Sequence, residues 1–165
     1  MSAWVCLPRP TGCSATARDT AILGARNSFG MCVGECVFDL TITANTTSEP
    51  PCDRVRLAIS GRGGLDPVRT NLGLLTPLAH ARVTSIAAAL LGTTLAAVYG
   101  CPDCADGGAS EITLSRTGLV TSHQYEYENP PPPLADADAL VQAILSGLRT
   151  CQSNEQVEID SGCTP

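Results

Sequence analysis

The sequence predicts an α+β fold: a mainly antiparallel sheet of four strands, or slightly more, with two helices on one face and disulfide staples. Two features lead to this. Short runs near 37–43, 55–60, 111–115 and 119–128 alternate apolar and polar residues with period two, as half-buried strands do. Two longer runs, following Thr76 and Pro133, repeat their apolar residues at helical spacing. The resulting order is strand–strand–helix, twice, which suits a sheet covered on one side.

Residues 1–31 read as irregular, because Pro8, Pro10, Gly12, Gly24 and Gly30 interrupt them, with one short strand near Ala21–Leu23. In Val37–Thr43, Phe38, Leu40 and Ile42 face one way and Asp39, Thr41 and Thr43 the other. Val55, Leu57 and Ile59 repeat the pattern, so the two runs are expected to pair as an antiparallel hairpin. Gly61-Arg62-Gly63-Gly64 ends the second strand, and a loop is expected to reach Leu75. Thr76-Pro77 starts a helix, with Thr as N-cap and Pro at the first helical position. Ala79, Val83, Ile86, Ala87 and Leu90 form its apolar stripe, and Gly92 ends it. Ile112 and Leu114 mark the third strand, Thr117-Gly118 a turn, and Leu119–Glu128 the fourth. Pro130–Pro133 stops that strand, since proline cannot donate to the ladder. A second helix follows over Leu134–Gly147, burying Ala137, Leu140, Val141, Ile144, Leu145 and Leu148, with Asp136 and Asp138 favouring its dipole. Gln156–Ile159 reads as a short last strand.

The 165 residues suit a single domain, with a core at 37–150 and an acidic tail at 151–165 tied back by cysteines. Aromatic residues are only 4% of the chain, so the core rests on Leu, Ile, Val and Ala, small side chains that leave room for covalent staples. All ten basic residues are arginine. A Walker-type phosphate loop and Schiff-base chemistry both need a lysine, so neither is available here. Residues 1–121 hold nine Arg and nine acids, which cancel. Residues 122–165 hold seven acids and only Arg149, so the whole net charge of −6 lies there. Nucleic-acid binding, which needs a cationic face, is not expected. No apolar run is long enough for a membrane span.

Nine cysteines point to an oxidising compartment: Cys6, Cys13, Cys32, Cys36, Cys52, Cys101, Cys104, Cys151 and Cys163. The odd number leaves at least one outside an intrachain pair. Met1-Ser-Ala-Trp-Val is no signal peptide, so the sequence is read as beginning after a removed leader, in a secreted, periplasmic or cell-surface protein. Pro10-Thr11-Gly12-Cys13 lacks the apolar stretch that precedes a lipid-modified cysteine, and acylation there is not expected. Cys6–Cys13 and Cys151–Cys163 are the local pairings expected.

Ser28-Phe-Gly-Met-Cys32-Val-Gly-Glu-Cys36 and Tyr99-Gly-Cys101-Pro-Asp-Cys104-Ala-Asp-Gly-Gly each lead into a strand. Together they resemble a group of uncharacterised exported bacterial proteins, many of them lipoproteins. A related, shorter family of unknown function begins Phe-Gly-x-Cys and runs in the same strand–strand–helix order. The resemblance covers about residues 28–150. It implies an exported α+β domain and no particular activity.

Cys32-x-x-x-Cys36 and Cys101-x-x-Cys104 form the strongest constellation. Structural disulfides are the expected reading in an exported chain. Their spacing also fits a four-cysteine zinc site. A redox dithiol at Cys101–Cys104 is the third reading, disfavoured because Asp103 and Asp106 would raise the thiol pKa and no helix starts there. Asp103, Asp106, Asp136 and Asp138 match no calcium loop and read as solvated or dipole-facing residues. Gly61–Gly64 reads as a turn, since no helix opens directly after it. His80 falls on the polar side of its helix. His123, Tyr125 and Tyr127 share one strand face, which, if exposed, forms a binding patch. Asn45-Thr46-Thr47 fits a glycosylation site but is expected bare in a chain of bacterial composition.

No catalytic residue and no cofactor are expected. The chain reads as an exported binding or structural module for an unidentified protein or small molecule, with a zinc or thiol-redox protein built on Cys32, Cys36, Cys101 and Cys104 as the alternative.

Overall fold

The computed structural model describes residues 6–7, 20–44, 54–62, 67–75, 77–116, 118–149 and 156–159. The fold is α+β. Its strands are β1 (Cys6–Leu7), β2 (Thr20–Ser28), β3 (Val37–Ala44), β4 (Arg54–Ser60), β5 (Pro67–Leu75), β6 (Ala109–Arg116), β7 (Leu119–Glu126) and β8 (Gln156–Ile159). Helix α1 spans Pro77–Leu91 and α2 spans Ala135–Arg149. Six strands form an antiparallel sheet in the order β5-β4-β3-β2-β6-β7. Beyond β5, β8 adds in parallel and β1 pairs with β8. The expected four strands are therefore too few.

Both hairpins read from alternation form, with Leu40 opposite Leu57 and Ile112 opposite His123. One further strand is longer than expected and another is wholly unexpected. Residues 1–31 are not all irregular, because β2 runs through Thr20–Ser28 and sits between β3 and β6. Pro67–Leu75 is strand β5 and not a loop. The Thr76 cap, Cys13, Cys52, Cys151, Cys163, Asn45 and half of the Gly61–Gly64 turn lie outside the described residues, as do the pairings expected for Cys6 and Cys151.

The register places one row of side chains across the inward face: Asn71, Leu57, Leu40, Ala25, Ile112 and His123. Both helices bury their stripes on that face, and one continuous apolar cluster joins them to all six strands. Val83 and Leu90 of α1 and Ile144 and Leu148 of α2 are among its buried helical members. Fully burying a side chain of this kind contributes roughly 1.5–3 kcal/mol. The opposite face is polar, with Arg26 of β2 paired to Asp39 of β3 at 3.2 Å. Beside them Glu111 is pushed up by partial burial. Hydrogen bonds from Gln124, Ser122 and Thr113 and the charge of Arg26 outweigh this and hold it below the usual carboxylate range. No described helix is long and apolar enough to cross a membrane.

Candidate functional site

One end of the inward face opens into a cleft of about 390 Å³ between the sheet and α2. The row at this end reads Arg69, Ile59, Phe38, Asn27, Ser110 and Tyr125 from β5 to β7. Arg69, Phe38 and Asn27 form the floor of the cleft. On α2, Gln142, Leu145, Ser146 and Arg149 stand three to four residues apart, so they share one helix face and line the opposite wall.

Phe29, Glu35 and Tyr127 come from the connections that leave the strands. The Phe29 N–H donates to the Cys36 carbonyl, and the Cys36 N–H donates to the Ser60 carbonyl, which extends the ladder past the strand ends. Phe29 and Tyr127 meet edge to face, with ring centroids 4.6 Å apart. Gly108 sits beside them with φ +86°, and a Cβ there would lie 2.7 Å from the Phe29 ring. Burial first, then the neighbouring Glu128 charge, raises the Tyr127 phenol above its ordinary value.

Polar groups behind the floor hold its amides in place. The Ser110 hydroxyl donates to Asn27 Oδ1 at 3.0 Å, and Asn27 Nδ2 donates to Gln142 Oε1 at 3.2 Å. Gln142 Nε2 donates to Asp138 Oδ1, which also accepts from the Tyr125 hydroxyl at 2.7 Å. Burial, reinforced by Asp138, drives the Tyr125 phenol far above its ordinary value of 10.0. Positioned amides of this kind are what a preformed polar site needs.

Two cations line the cleft. Arg149 places its guanidinium 4.3 Å from the centroid of the Phe38 ring. Arg69 Nε lies 3.1 Å from Glu35 Oε1, and Arg69 Nη2 donates to the Arg149 carbonyl at 3.4 Å. Among the described residues, Glu35 is the only acid lining the cleft.

The residues singled out in the sequence fall elsewhere or play other parts. His123 and Tyr125 are buried beneath the helices, so they present no open face. His123 Nδ1 faces the Ala96 carbonyl at 2.8 Å and Nε2 faces Thr121 Oγ1 at 3.3 Å, which makes Nδ1 the protonated nitrogen. Of the three, only Tyr127 reaches the cleft. Asp138 stands in the first turn of α2 as expected, but it is buried and not solvated, and it is the hub between Tyr125 and Gln142.

Cys32–Cys36 and Cys101–Cys104 each form a disulfide, with Cα atoms 5.6 and 5.4 Å apart. A zinc site needs all four sulfurs as free thiolates, and here each pair is already joined within its own loop. Gly30, next to the first loop, lies close to the Asp103 and Asp106 carboxylates of the second. Glu126 anchors that second loop by accepting from Asn129 Nδ2 and the Cys101 N–H. These bonds hold it below the usual carboxylate range.

Sequence reasoning missed Arg69, Asn27, Gln142 and Arg149. The one available signal was that Gln142, Ser146 and Arg149 repeat beside the apolar stripe of α2. Arg69 gave none, since its strand was not foreseen. Comparison with protein-family models, with curated proteins and with solved structures finds no match.

Proposed function

We propose that this chain is an exported, disulfide-stabilised binding module whose ligand site is the cleft between the sheet and α2. The carrying observation is the way the cleft collects scarce residues. The chain has only two Phe and three Tyr, yet Phe29, Phe38 and Tyr127 all line this one cleft, beside two arginines and two positioned amides. A small number of fixed polar groups among aromatic walls, in a volume of roughly 300–1,000 Å³, is the usual make-up of a small-molecule site. Paired Cys32–Cys36 and Cys101–Cys104 support an oxidising compartment and hence export.

The test is a titration with benzamide, a small neutral aromatic amide, followed through backbone amide resonances. Benzamide is expected to shift Phe29, Phe38 and Gln142 together and saturably. Ser146→Trp, which fills the cleft from the exposed side of α2, should abolish those shifts while leaving the spectrum folded. Shifts scattered away from the cleft, or unchanged by the tryptophan, would count against the reading.

A further inference from the structure

We infer that the cleft selects ligands bearing a carboxylate, and that Glu35 occupies the carboxylate position when no ligand is bound. The inference rests on the proposed binding role of the cleft and specifies its ligand class. Although the chain as a whole is acidic, the described lining carries Arg69 and Arg149 against Glu35. Movement of the Glu35 side chain away from Arg69 takes the acid out of the cleft lining and leaves Arg69 and Arg149 there.

Glu35 is built to exchange. Its side chain is 37% exposed and its contact with Arg69 is a partly exposed ion pair, of a kind that contributes little to stability. It stands inside the short Cys32–Cys36 loop, next to Gly34, which has φ +94° and open space where a Cβ would lie. Arg69 also donates to the Arg149 carbonyl at 3.4 Å, so it keeps a second contact when the acid leaves. A planar guanidinium matches a carboxylate from a ligand as well as one from the chain. A ligand that carries an apolar ring as well packs against the half-buried Phe29 and Tyr127.

The experiment compares benzoate with benzamide, matched in shape and different in charge, on the wild-type chain, Glu35→Gln and Arg69→Gln. Benzoate should bind the wild type at least about tenfold more tightly than benzamide, the gain expected of a charge-assisted hydrogen bond. Glu35→Gln should tighten benzoate about two- to fivefold, by removing an internal competitor of surface-ion-pair strength. It should change benzamide binding less than benzoate binding. Arg69→Gln should remove the preference for benzoate. If Arg69→Gln does not fold, Glu35→Gln alone decides, because it must tighten benzoate more than benzamide. Equal affinities for benzoate and benzamide, or weaker benzoate binding in Glu35→Gln, overturn the carboxylate assignment but leave the binding cleft intact. Failure of both ligands to reach the cleft overturns both readings.

Discussion

Two single residues shape the cleft from behind. Gly108 combines a positive φ with close approach to the Phe29 ring, and both exclude a side chain. Gly108→Ala should cost about 1–3 kcal/mol, the usual range for a strained backbone position, and should weaken benzamide by displacing one aromatic wall. Urea unfolding and the amide titration check the two effects, and an alanine variant as stable as wild type would contradict the first. Tyr125 supplies a pH signature. Its phenol is raised in the folded chain by burial and by Asp138, whereas in the unfolded chain it ionises near pH 10. The stabilisation is complete below about pH 10 and declines as the pH rises further, because the unfolded phenol then loses its proton and the folded one does not. Tyr125→Phe should cost about 1–2 kcal/mol at neutral pH through the lost donor to Asp138. Above about pH 10 its stability should fall less steeply than that of the wild type. Urea unfolding from neutral to alkaline pH measures this, and parallel curves would count against it.

Among the elements, β5 shows how local function hides secondary structure. Its inward positions are Arg69, Asn71, Gly73 and Leu75, so the side that faces the core is mostly polar or bare. Leu72 and Leu74 lie on the other side. The alternation is reversed, and a reader of hydrophobic pattern sees a loop. The physical cause lies in α2. Its last carbonyls have no partner within the helix, and Asn71 Nδ2 donates to the Leu148 carbonyl at 2.6 Å while Arg69 reaches that of Arg149. β5 spends its inward positions on capping a helix end, whereas β3, β4 and β6 spend theirs on the core and were legible. β2 was cut short in the reading for a related reason: Gly24 and Asn27 are poor strand formers, and a register shift lies between Ala21 and Leu23. Both helices were legible because their stripes face the apolar cluster and little else. Most of the cleft was illegible because it needs the unforeseen strands beside α2. Asn71→Ala should cost about 1–3 kcal/mol, since it leaves a buried carbonyl unpaired. Amide exchange should speed up in the last turn of α2 before it does in β3 or β4. Uniform acceleration across the fold would show that Asn71 acts on global stability alone.

At the scale of the whole molecule, the apolar cluster and the two described disulfides do different work. The cluster joins six strands to both helices. Each disulfide instead closes a connection at the sheet end, between residues only four and three apart in sequence. Chain-entropy stabilisation grows with loop length, so loops this short contribute roughly 2 kcal/mol each. The fold should therefore survive loss of either bridge, which separates it from small secreted domains that unfold without their disulfides. The two bridges should differ in what else they change. Cys32–Cys36 carries Glu35 and leads back from Phe29, so it sets one wall and the internal acid of the cleft. Cys101–Cys104 lines no part of it, and Glu126 and Asn129 hold its loop independently. Replacing Cys32 by Ser together with Cys36 by Ala, the latter because Cys36 is fully buried, should lower stability by about 2 kcal/mol and change benzoate affinity. The double Ser variant of Cys101 and Cys104 should lose a similar amount and bind benzoate as the wild type does. Urea unfolding paired with the amide titration separates the cases. If either double variant fails to fold, the sheet–helix core is not the independent unit its contacts describe. If both alter binding equally, the Cys32–Cys36 loop has no special hold on the cleft.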